Sequence, residues 1–104
     1  MNEIEFSNAL LRCRREDDLA RESFQLVRED LRLWVLELPD RLEDVVSILS
    51  ELKLLLSSLK EGSLDYVLHL SLHSDQRMTL QIPPELTSLS LECGFLIEIA
   101  FEIE

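Results

Sequence analysis

The sequence predicts an α+β fold, a single mixed or mainly antiparallel sheet of about five strands with two or three helices packed on one face. Three observations carry this expectation. Apolar residues recur at spacings of three and four between Pro39 and Gly62, the period of one helical stripe. They recur at every second position over Leu64–His73 and Phe95–Ile103, the period of a half-buried strand. The chain has only two Gly and three Pro, placed at the ends of these runs rather than clustered in a linker, so one domain spans residues 1–104.

The helix over 40–61 is the most legible element. Pro39 stops what precedes it, Asp40 followed by Glu43 fits a capping box, and Leu42, Val45, Val46, Leu49, Leu52, Leu56 and Leu59 form the stripe. Lys60 places positive charge near the carboxyl end of the helix dipole, and Gly62 supplies a left-handed terminator. Next, Leu64, Tyr66, Leu68, Leu70 and Leu72 alternate with polar neighbours and predict a strand. Ser74–Arg77 reads as a turn, and Met78, Leu80 and Ile82 as the returning strand of an antiparallel hairpin. Pro83 and Pro84 suit a helix start, Leu86, Leu89 and Cys93 share a face, and Gly94 ends that helix. In the last strand Phe95, Ile97, Ile99, Phe101 and Ile103 point one way, with Glu98, Glu102 and Glu104 opposite.

Two periods compete before Pro39. Leu19 or Ala20, Phe24, Val27, Leu31, Trp34 and Leu38 fit one long helix started by Asp17 and Asp18, whereas Leu31–Leu38 also reads as a central strand buried on both faces. The strand is preferred. Residues 4–14 predict an opening strand with a bulge, because Ile4, Phe6 and Leu10 alternate while Ala9 and Leu11 fall out of phase.

Composition narrows function. With 46% hydrophobic and 30% charged residues the chain is globular rather than disordered, and at 104 residues it buries about two thirds of the surface its unfolded form exposes. Acids outnumber bases 21 to 10, a formal charge of −11. Such a field repels phosphate backbones and anionic membrane surfaces, and it steers basic macromolecules inward, so the expected partner is a basic protein and not nucleic acid or membrane. Six arginines between Arg12 and Arg32 are interleaved with acids, which favours local ion pairs over phosphate binding. No run approaches the roughly 20 apolar residues of a membrane span. Cys13 and Cys93 are far apart and outside any CxxC pair, which with the absence of a basic, apolar leader suggests free thiols in a reducing cytoplasm.

No chemistry is specified, and the expected site holds no catalytic residue, metal ligand or cofactor. His69 and His73 are four apart, but on a strand their α-carbons are about 13 Å apart, too far to share one ion unaided. A hydrolase triad would draw on either histidine, Asp65 or Asp75 and a serine, yet there is no G-x-S-x-G elbow and no glycine-rich phosphate cradle. Cys93 falls on an apolar stripe near a helix carboxyl end, where the dipole disfavours a thiolate. If the last strand joins the sheet of residues 64–82, the outward face gathers His69, Ser71, His73, Thr79, Gln81, Glu98 and Glu102. These are the expected protein-binding residues.

From residue 34 onward the order of features is Trp34 in an apolar strand, the Leu42–Leu59 helix, the Tyr66–His73 strand and the Leu80–Ile82 strand. It closes with Pro84-Glu85-Leu86 to Gly94 running into Phe95–Ile103. This order resembles a family of small bacterial proteins classed as a domain of unknown function, several of which sit among suspected immunity proteins of polymorphic toxin systems. The resemblance covers residues 34–103, lies in pattern rather than in a motif, and carries over no catalytic residue. It implies a non-catalytic module that neutralises a basic toxin. Two other readings compete with it: a homodimer or assembly subunit formed through a strand edge or through Ile48, Leu54 and Leu55 outside the main stripe, and a small enzyme with an unrecognised site.

Overall fold

The computed structural model describes residues 5–73 and 80–102. The strands are β1 (Asn8–Arg14), β2 (Gln25–Arg28), β3 (Leu33–Glu37), β4 (Leu64–His73) and β5 (Leu96–Glu102). The helices are α1 (Leu42–Glu51), α2 (Lys53–Ser58) and α3 (Pro84–Cys93). The strands form one open sheet in the order β2-β3-β1-β4-β5, antiparallel except for the parallel β4–β5 pair that α3 connects. The fold is α+β, as the periodicities predict. Val45, Leu49 and Leu56, with Leu86, Leu89 and Cys93 of α3, share one core with Leu11, Leu68, Leu70 and Leu72, so the helices cover one face of the sheet.

The core phase of β1 differs from expectation. Ala9, Leu11 and Cys13 are buried while Leu10 lies on the other face, because the strand begins only at Asn8. Before it, Phe6 is buried, its N–H donates to the Asp40 carbonyl, and Glu5 bridges Arg41. The bulge is on the partner strand: between the pairs Arg12↔Val67 and Arg14↔Leu64, β4 spends one extra residue, and Asp65 takes a positive φ of 50°.

The long helix of the first third does not form. Residues 16–23 make turns, and Leu19, Val27 and Leu31 of its supposed stripe are 45%, 49% and 40% exposed. The preferred strand is present as β3, with β2 as an unanticipated hairpin partner across a turn at 29–32. Asp17 starts no helix; its carboxylate accepts from Arg15 and from the Leu19 N–H. Trp34 is buried and Leu36 packs against the core, whereas Val35 faces outward, so β3 has one buried face rather than two.

The 40–61 helix is two helices interrupted at Leu52 (φ −93°, ψ 9°), two residues after Ser50 turns its hydroxyl back to the Val46 carbonyl, a bond that bends helices. The N-cap position is Arg41 rather than Asp40, and no side chain caps the helix. At the far end Gly62 takes a left-handed φ of 84°, but α2 has already ended at Ser58 with Leu59 as its C-cap, so Gly62 turns the chain beyond the helix rather than terminating it. The end carbonyls are met from a distance: the Nη1 of Arg15, a side chain 4% exposed, donates to Leu59 O at 2.9 Å, to Glu61 O at 2.8 Å and to Ser63 Oγ at 2.7 Å. Its Nε and Nη2 hold the Asp17 carboxylate bidentately at 2.8 Å.

The expected hairpin after β4 is replaced. Both edges of β4 are occupied, by β1 and by β5, so residues 80–82 have no free ladder to join. They run as coil, with Leu80 and Ile82 packed on the core. Met78 and Thr79 lie outside the described residues. α3 begins at Pro84 and ends at Gly94, whose φ of 84° and close approach to Lys60, with Cγ 2.5 Å from where a Cβ would sit, both require glycine.

Candidate functional site

Because successive strand residues alternate between faces, the strand residues opposite the helices share one face of the sheet. The register lines up Val35, Arg12, Val67 and Leu96 in one row, and Glu37, Leu10, His69 and Glu98 in the next. Beyond them Ser71 lies beside Ala100 and His73 beside Glu102. Among the expected site residues, His69, Ser71, His73, Glu98 and Glu102 are therefore brought together on β4 and β5. Gln81 is exposed in the coil that leads into α3 and belongs to no strand, and Thr79 lies outside the described residues.

The parallel pairing sets each histidine against a glutamate. His73 Nε2 is 2.9 Å from Glu102 Oε2, with both side chains about half exposed. His69 Nδ1 is 3.6 Å from Glu98 Oε2, and that oxygen accepts from Arg12 Nη2 at 3.2 Å. On its other side, His69 Nε2 lies 3.0 Å from Ser71 Oγ. Ser71, His69 and Glu98 thus stand in the order of a hydrolase relay, although no such set is written locally in the sequence.

The surroundings argue against nucleophilic use of that set. Ser71 is only 4% exposed and sits inside an interior strand, its carbonyl accepting from the Ser7 N–H at 2.9 Å. The backbone N–H groups of an interior strand are engaged by its two neighbours, so none converge beside Ser71 to stabilise an oxyanion. His69 Nδ1 is buried without a hydrogen-bond partner among the described residues, and the nearby Glu98 carboxylate bonds Arg12 instead. Among the described residues no group of three His, Cys, Asp or Glu side chains is placed to hold a metal ion. The serine and histidine read best as part of a polar sheet surface.

Sequence reasoning missed the middle of this surface. Leu10, Val35 and Val67 are half-buried on it, and Arg12 and Arg14 stand among the acids, Arg14 Nη1 donating to Asp65 Oδ2 at 3.1 Å. The alternation across 8–14 was the available signal, but it read in the wrong phase. The face is consequently less acidic than the net charge of −11 suggests. Acids without an ion pair among the described residues include Glu37, Asp40, Glu43 and Asp44, around the corner between β3 and α1.

Comparison of this chain with protein-family models, with curated proteins and with solved structures finds no match.

Proposed function

We propose that this chain is a non-catalytic cytoplasmic binding module of the immunity type, which docks a basic protein, such as a toxin, on the open face of its sheet. One observation carries the reading: the described helices cover one side only, and on the opposite side half-buried Leu10, Val35 and Val67 stand interleaved with the ion-paired side chains of Arg12, Arg14, Asp65 and Glu98. Half-buried apolar side chains mixed with arginine and hydrogen-bonding groups on one surface are what protein interfaces present. The formal charge of −11 supports a basic partner, because it accelerates encounter with one and slows encounter with an acidic one. Two buried, unpaired cysteines suit a reducing compartment.

The experiment is to purify any basic protein encoded beside this gene and titrate it calorimetrically against this chain. Stoichiometric binding that weakens with salt is expected. Val67→Arg, which sets a cation at the centre of the face, should weaken it by about tenfold or more. Ser47→Arg, on the exposed side of α1, should do far less. Absence of binding, or equal losses from the two variants, sinks the reading.

A further inference from the structure

We infer that β5 pairs antiparallel with β5 of a second copy of this chain, closing a two-fold dimer through the sheet edge. The two edges of the described sheet are not alike. β2 has four residues, ends at Arg28 beside Asp30 and is bulged between Leu26 and Arg28, the devices that keep an edge from being extended. β5 has seven residues in unbroken register with β4, and no Pro, Gly, Lys or bulge protects it. Apolar area is left uncovered along it: Leu96 is 71% and Phe101 51% exposed. An open strand of this kind is a template for another strand.

The strand's own sequence selects its partner. Only one antiparallel register overlaps all seven residues of two copies, the one centred on Ile99. It sets Ile99 against Ile99, Ile97 against Phe101, and Leu96 against Glu102 of the partner copy. Glu98 then faces Ala100. Sliding by two residues in either direction sets Glu98 against Glu98 or Glu98 against Glu102, and a slide by one places the helical layers on opposite sides of the joined sheet. The fully overlapped register is thus also the one free of acid–acid opposition, and its core-side pairs are branched and aromatic, the kind that stabilise cross-strand contacts. Because β2 is blunted, β5 has no second edge to meet, and the association closes as a dimer rather than growing into a filament. Its salt dependence is opposite to that of docking a basic protein: two copies, each carrying −11, associate more tightly as salt screens their repulsion.

Sedimentation equilibrium of the intact chain from roughly 5 to 200 µM tests this. The expected result is a species of twice 12.1 kDa that strengthens with salt. Ala100→Lys places a cation opposite Glu98 at two symmetric points and should tighten the dimer by about tenfold; Ala100→Glu opposes like charges there and should loosen it by a similar factor. Ser47→Lys and Ser47→Glu change the net charge equally on α1, away from β5. A chain that stays at 12.1 kDa throughout overturns the inference. So does a dimer that responds to the Ala100 substitutions no more than to those at Ser47. Should Ala100→Glu fail to fold, Ala100→Lys decides alone, since it must tighten the dimer beyond Ser47→Lys.

Discussion

Replacing Arg15 by methionine removes every donor of a buried guanidinium while keeping an apolar side chain of similar length. The loss falls on three acceptors, the Leu59 and Glu61 carbonyls and the Ser63 hydroxyl, bonded at 2.7 to 2.9 Å. A buried acceptor deprived of its donor costs about 1–3 kcal/mol. Only the Leu59 bond is fully buried; the other two acceptors regain some water. Asp17, 61% exposed, returns to solvent, and its half of the ion pair adds little. The sum is about 3 kcal/mol, which for a domain of this size lowers Tm by about 14 °C. Thermal melts followed by circular dichroism at neutral pH measure it, and a urea midpoint shifted at constant slope confirms that stability alone has changed. Arg15→Lys keeps the charge but not the fork that spans Asp17 and the α2 end, so it should recover less than half of the loss. If desolvation of the guanidinium outweighed its bonds, the methionine variant would melt within about 4 °C of the parent, and the account of Arg15 as the tie between β1 and the end of α2 would be refuted.

Three further outcomes follow from the same structure. The bonds from Arg15, and then the Leu19 N–H, hold the Asp17 carboxyl below the ordinary carboxylate range, so its contribution is complete above that range and is lost as pH falls through it toward the folded value; the stability difference between the parent and Asp17→Asn should shrink between about pH 5 and pH 3, and a constant difference would contradict the pairing. Tyr66 donates its buried hydroxyl to the Leu56 carbonyl at 2.9 Å, and burial pushes its pKa up; Tyr66→Phe should cost about 1–2 kcal/mol in a denaturant titration, and no cost would show that carbonyl to be satisfied otherwise. Cys13 and Cys93 are fully buried, and burial raises the Cys13 pKa, so neither should react with a thiol reagent until the chain is unfolded, as counted by absorbance with and without urea.

How much was legible depended on whether a segment's pattern had a rival. Leu64–His73 and Leu96–Glu102 alternate without competition, and both are strands. The 84–93 helix has proline at its start and glycine at its end, and it sits where those residues place it. The 19–38 segment satisfied two periods, and packing decided between them: burial of Ala20, Phe24 and Trp34 from turns and a hairpin left Leu19, Val27 and Leu31 in water. Leu80–Ile82 alternates as a strand does, but a strand needs a free ladder, and none remained on β4. Of the candidate face, the β4 and β5 residues could be read because each strand's inward side is unbroken apolar, Tyr66, Leu68, Leu70 and Leu72 on β4 and Ile97, Ile99 and Phe101 on β5. Arg12 and Arg14 could not, because the phase of β1 follows from where the strand starts rather than from its composition.

Taken alone, the sequence determined which residues of α1, α3, β4 and β5 turn inward, where one period had no rival: a leucine every third or fourth position marked the helix face and one at every second position the strand face, because burial of that face stabilises any fold that allows it. It also determined the acidic balance and the proline and glycine that bound α3. Tertiary structure alone decided which strands are neighbours, that β1 and β5 flank β4, that Arg12 reaches Glu98 across 86 residues of chain, and that β5 is left at an edge. The physical reason is that local periodicity fixes the direction of a side chain but not its partner. Pairing is set by which arrangement buries all the apolar faces at once, and that condition belongs to the whole chain.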